Sequence, residues 1–203
     1  MKIVYIHGAG ASGSSFNYIR EHLDFENEFI LEYNPADGFE NNFSQMRRLL
    51  DKTDSLFFIA HSMGGIYALH LSHWFQEQTV GAVTISTPFG GAAIADYVKY
   101  FLPFSRLLRD IGPSSRPMRL TNKLKVLHPW CNIVTITGDS PWMIEPNDGV
   151  VTVASQRHRE DMELIELPLN HYEVMMSPAT VATIRKKFKE YSDNDFSNRK
   201  SSN

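Results

Sequence analysis

Five apolar residues, Leu56 to Ala60, run directly into His61-Ser62-Met63-Gly64-Gly65, and a helical pattern begins at once and continues to Gln76. This junction constrains the chain more than any other stretch. A short continuous apolar run rich in aromatic residues is the signature of a parallel strand buried on both faces. Parallel strands cannot be joined by tight hairpins, so helical crossovers must follow. Gly64 and Gly65 lack a Cβ where strand and helix must approach closely. The turn is therefore abrupt and holds the Ser62 hydroxyl in the open above the strand ends. The Met63 amide lies at a helix N-terminus, where backbone donors and the dipole favour a developing negative charge.

Ile3 to Ile6, Glu28 to Tyr33, Gly81 to Ser86, Cys131 to Thr137 and Met162 to Leu167 supply five more strand patterns. Helical patterns cover Ser14 to Asp24, Phe43 to Lys52 and, after the last strand, Thr180 to Tyr191. This alternation predicts an α/β fold with a doubly wound, mainly parallel sheet of about six strands. Residues 1–191 read as one domain with a substantial core, and 192–203 as a polar, disordered tail. Residues 92–125 form the longest insertion between strands, aromatic-rich and broken by Pro103 and Pro113. From Tyr97 to Lys125 it carries Lys99, Arg106, Arg109, Arg116, Arg119, Lys123 and Lys125 against a single acid, Asp110. Apolar residues interleaved with basic ones are typical of interfacial segments. A helical partial lid with peripheral contact to anionic lipid through 97–125 is one expectation; a core-packed connection with a solvated basic rim is the other.

The formal charge of −3 suggests no general affinity for nucleic acid. A single cysteine, Cys131, rules out an internal disulfide and reads as a small core residue. His70 and His73 sit three apart on a helix, but no third ligand at sensible spacing joins them, so no metal is expected. No apolar run approaches transmembrane length. Strand sequence starts at Lys2, leaving no room ahead of it for a signal peptide, so a cytoplasmic location is expected.

An activated serine needs a base to take its proton and an acid to orient that base. Of the eight histidines, His171 lies in a short loop just beyond the final strand; His158 sits among Arg157, Arg159 and Glu160. Two aspartates compete for the acid: Asp139, two residues past a strand end, and Asp148, followed by Gly149. After the first strand, Gly8-x-Gly10-x-x-Gly13 matches the dinucleotide-binding pattern, with Glu32 near the place of its acidic partner. A reductase is the rival reading on that account.

Ala60-His61-Ser62-Met63-Gly64-Gly65 resembles the nucleophile elbow of the α/β-hydrolase family, with Ala60 standing where the motif has its first glycine, and is similar to the elbow of small lipases and esterases. His7-Gly8-Ala9-Gly10 resembles the family's oxyanion loop. Thr87-Pro88-Phe89-Gly90-Gly91 resembles its Thr-Pro-x-x-Gly stretch, and Asp148-Gly149-Val150-Val151 the run that carries the triad acid. The resemblance spans roughly residues 1 to 190. It implies a minimal α/β-hydrolase fold and a cofactor-free serine hydrolase acting on a small-molecule acyl ester through an acyl-enzyme. Ser62 would be the nucleophile, His171 the base and Asp148 the acid. The Ala9 and Met63 amides would hold the oxyanion, and Phe16 and Phe89 would bind substrate, with a place in the core the equal alternative for Phe16. Thioesterases, amidases and acyltransferases share this triad, and a non-catalytic binding protein could share the fold.

Overall fold

The six apolar runs become six strands of one sheet. The computed structural model describes residues 1–91, 110, 112–140 and 143–201. Its strands are β1 (Lys2–Ile6), β2 (Glu28–Leu31), β3 (Leu56–His61), β4 (Thr79–Ile85), β5 (Trp130–Thr135) and β6 (Glu163–Leu167). All neighbours pair in parallel, in the order β2-β1-β3-β4-β5-β6. The chain places β2 on one side of β1 and then crosses back to put β3 on the other. Ligands of open parallel sheets lie beyond the strand C-termini where the winding reverses in this way. Here that crevice is flanked by the ends of β1 and β3, which lead into Gly8 and Ser62.

Position in the sheet explains the sequence patterns. Every residue of β3, β4 and β5 is buried, whereas β2 and β6 at the edges are mostly half-exposed. Glu163 and Glu166 are accordingly tolerated in β6 and no acid occurs in β3. Successive side chains of a strand point to opposite faces. Val4, Ile6, Phe58 and Ala60 therefore meet α2 (Phe39–Leu49) and α3 (Met63–Trp74), while Ile3, Tyr5, Phe57 and Ile59 meet α1 (Asn17–Leu23) and α6 (Pro178–Ser201). Each fully buried Phe or Ile contributes about 1.5–3 kcal/mol of transfer free energy. Helix α3 is buried from Met63 to Leu69 on all sides, as a helix apolar all round must be.

Two helices differ from their sequence patterns. Helix α2 begins at Phe39, four residues earlier than expected, because the Asp110 carboxylate accepts from the Phe39 amide at 2.8 Å. That cap comes from the far end of the insertion, so no local signal announces it. Helix α6 runs from Pro178 to Ser201, so residues 192–201, expected as a disordered tail, are helical.

Most of the insertion expected as a lid, including Lys99, Arg106 and Arg109, lies outside the described residues. Its described return leg is anchored to the core. Helix α4 (Arg116–Thr121) is capped by Ser115, whose Oγ accepts from the Met118 amide at 3.2 Å, and it buries Pro117 and Met118. After the short helix α5 (Val153–Gln156) comes Arg159, 7% exposed, whose guanidinium donates to the Thr121 carbonyl at 3.1 Å and the Leu124 carbonyl at 2.6 Å. At the outgoing end, the Gly90 amide donates to the Ser155 carbonyl at 2.9 Å, and the Ser155 hydroxyl to the Gly91 carbonyl at 2.6 Å. Both feet of the insertion are thus held by residues 155–159. Among the described residues, no helix is long and apolar enough to cross a membrane.

Candidate active site

Ser62 has φ 52° and ψ −126°, a left-handed conformation that costs a non-glycine residue on the order of 1–3 kcal/mol. Its surroundings enforce the turn. The Ser62 amide donates to the Ile85 carbonyl on β4 at 2.8 Å, and the Ser62 carbonyl accepts from the Gly65 amide at 3.0 Å. A Cβ on Gly64 would overlap the Ile6 carbonyl oxygen of β1, and one on Gly65 would overlap the Thr87 side chain. The two glycines let α3 start against two neighbouring chain segments. Ala60 is fully buried in the core on the α2–α3 face, two residues before the serine.

The structure brings Asp148 and His171 together. His171 Nδ1 lies 2.7 Å from Asp148 Oδ2, with both residues buried, and the His171 amide donates to the Asp148 carbonyl at 3.0 Å. Asp148 Oδ2 also accepts from Thr135 Oγ1 at 2.6 Å and Gln156 Nε2 at 3.0 Å, while Oδ1 accepts from the amides of Val150 and Val151 at 3.0 and 2.7 Å. Burial pushes the Asp148 pKa up, but the bonds from His171, Thr135 and Val151 outweigh it and hold the carboxyl below its ordinary value. A carboxylate only accepts, so His171 carries its proton on Nδ1 and leaves Nε2 as a base. Gly138 makes room for this loop, since a Cβ there would overlap the Asp148 backbone. Asp139 is exposed. His158 is exposed too and lines a separate cleft with Arg159 and Asp161.

Ser62 and His171 line one cavity of about 760 Å³, together with Ala9 and Met63. Among the described residues, neither the Ala9 nor the Met63 amide donates to a protein acceptor. The loop bearing Ala9 is tied to the end of β2 by Glu32: Oε1 accepts from the Gly13 amide at 2.8 Å and Oε2 lies 2.9 Å from His7 Nε2. The carboxylate that the dinucleotide pattern would assign to a ribose is thereby engaged with the glycine loop itself.

Phe16 and Phe89 are not on the cavity wall. Both are fully buried: Phe16 packs on Tyr5 with centroids 5.1 Å apart, and Phe89 lies beneath the Arg159 guanidinium. Their neighbours Ser15, Tyr18 and Pro88 reach the cavity instead, beside Met63, Val151 and Met175. Tyr172 and Met176 stand at its mouth, 68% and 65% exposed. Thr135 and Gln156 escaped sequence reading because nothing in their spacing links them to Asp148; the fold alone makes them neighbours. The paired histidines of α3 go elsewhere: His70 Nε2 sits 2.9 Å from Thr121 Oγ1, and burial pushes its pKa down to about 4.

A parallel sheet in this order, with helices on both faces and a strained serine between β3 and α3, is the α/β-hydrolase fold. The solved structures it resembles include a metagenomic carboxyl esterase (TM-score 0.74, 15% identity, covering 96% of this chain and 76% of that one). A Bacillus licheniformis lipase in its mature form superposes with a TM-score of 0.70 at 16% identity, covering 90% of this chain and 89% of that one. The monoacylglycerol lipase of Paleococcus ferrophilus gives 0.60 at 14% identity, covering 93% and 92%. No protein-family model and no curated protein sequence matches the chain.

Proposed function

We propose that this protein is a serine carboxylic-ester hydrolase of the lipase or esterase kind. The observation that carries the reading is the buried Asp148–His171 hydrogen bond of 2.7 Å, set on the same cavity as a serine in a strained turn. Ser62 Oγ attacks the ester carbon while His171 Nε2 takes its proton, and the imidazolium that forms is stabilised by Asp148. The carbonyl oxygen gains negative charge and is held by the free amides of Ala9 and Met63. Collapse breaks the carbon–oxygen bond, with His171 returning the proton to the departing alcohol. Water, deprotonated by the same nitrogen, then attacks the acyl-enzyme and releases the acid and Ser62.

The wall of Met63, Pro88, Val151 and Met175 favours an apolar acyl chain, and the cavity volume is in the usual range for organic ligands. The test pairs labelling by a fluorophosphonate with hydrolysis of p-nitrophenyl esters of graded chain length. The wild-type protein should label on Ser62 and prefer esters longer than acetate. A folded Ser62→Ala protein should do neither, and retained turnover there would end the reading.

A further inference from the structure

His61 is the last residue of β3 and directly precedes Ser62. His61 is 5% exposed, and its Nε2 lies 3.1 Å from the backbone carbonyl oxygen of His171. Facing a carbonyl, that nitrogen must be the N–H. The other nitrogen, Nδ1, is buried and has no hydrogen-bond partner among the described residues. It faces Gly8 of the glycine loop, where a Cβ would stand 3.0 Å from it. Leaving a buried nitrogen unpaired costs about 1–3 kcal/mol. A leucine would fill similar space without that cost, so the imidazole is explained by what its N–H does.

We propose that His61 is a positioning residue that holds the proposed catalytic base, His171, in register with Ser62. The inference rests on the serine-hydrolase reading above. Among the described residues, three bonds fix His171: its ring Nδ1 and its amide both donate to Asp148, and its carbonyl accepts from His61. The two Asp148 bonds set the base relative to the acid. Only the third ties it to the chain that carries the nucleophile, since His61 is covalently next to Ser62. The rings of His61 and His171 also pack, with centroids 4.7 Å apart. Burial, and after it the neighbouring His171, push the His61 pKa down to about 3. It therefore stays neutral at working pH and adds no second positive charge when His171 becomes an imidazolium.

The test uses the full chain with His61→Leu, His61→Gln and His61→Asn. Gln can place an N–H near the position of Nε2, whereas Leu has no donor and Asn is too short. Misplacing the base lowers kcat without weakening substrate binding. Leu and Asn should therefore lose about 10- to 100-fold in kcat with KM within twofold, and Gln should recover most of the loss. Should Leu fail to fold, the comparison of Asn with Gln carries the same decision. The role is overturned if a folded Leu or Asn variant keeps wild-type kcat, if the loss falls on KM, or if Gln is as impaired as Asn. Ser62→Ala measured alongside separates the two claims. Turnover by folded Ser62→Ala removes the serine mechanism itself, whereas an inactive Ser62→Ala beside a fully active His61→Leu removes only the positioning role.

Discussion

Replacing Asp148 by Asn is the sharpest perturbation the site offers, because it keeps shape and removes only charge and acceptor symmetry. The native carboxylate takes five donors: three on Oδ2 (His171 Nδ1, Thr135 Oγ1 and Gln156 Nε2) and two backbone amides on Oδ1. Asn has one oxygen. If that oxygen keeps the Val150 and Val151 amides, the new NH₂ faces His171, which must then accept on Nδ1 and carry its proton on Nε2. In that tautomer it cannot take the Ser62 proton. If the amide flips, the buried Val151 amide and the part-buried Val150 amide are orphaned and the loop loosens. Gln156 Nε2 gains a donor opposite it in the first case, so stability falls as well, by about 1–3 kcal/mol for the buried group left unpaired. Turnover should fall by about 10⁴ through the wrong tautomer. The assay is kcat on a p-nitrophenyl ester with folding checked by thermal denaturation, and Asp139→Asn serves as control. A folded Asp148→Asn protein with more than a tenth of wild-type kcat would refute the argument that Asp148 sets the tautomer, and an inactive Asp139→Asn would show that the wrong aspartate was chosen.

The pH dependence of stability follows from the same carboxylate. Its folded pKa lies below the unfolded value of about 4, so its contribution is present above that pH and lost as pH falls through the folded value. The stability gap between wild type and Asp148→Asn, measured by denaturant melts, should therefore narrow below pH 4. Ser62→Gly should abolish turnover yet raise stability by about 1–2 kcal/mol, because glycine adopts φ 52° without strain; a lower melting temperature would contradict this. The exposed Arg116, Arg119, Lys123 and Lys125, with the three basic residues earlier in the insertion, should favour phosphatidylglycerol over phosphatidylcholine vesicles in co-sedimentation. Equal, negligible binding to both would count against contact with anionic lipid.

The sheet was legible because its central strands are buried on both faces and so read as unbroken apolar runs. The edge strand β6 was legible too, since Leu164 and Ile165 between its glutamates, and Leu167 after them, still mark it. Helix α2 was misplaced by four residues because its cap, Asp110, is 71 residues away in sequence. Helix α6 was cut short because residues past Tyr191 are polar, and a helix can continue on propensity where composition suggests a tail. In the site, the chain order of Ser62, Asp148 and His171 could be read. Which face Phe16 and Phe89 turn to the core could not, because one residue's slip in a turn exchanges wall for interior. The contact of His61 was equally hidden: its partner is a backbone carbonyl, which leaves no trace in side-chain spacing.

The anchoring of the insertion has an engineering consequence. Its outgoing foot at Gly90–Gly91 is pinned by Ser155, and its returning foot at Thr121–Leu124 by Arg159, four residues further on. The span between the feet is closed on a fixed frame. Closure entropy grows only logarithmically with loop length, so doubling such a span costs about 0.6 kcal/mol. Spans of different length and chemistry can therefore be grafted between Gly91 and Asp110, whose carboxylate must stay to cap α2, while the sheet, the elbow and the Asp148 loop keep their places. Span and frame then become separable parts, one interchangeable and one fixed, with residues 155–159 as the coupling between them.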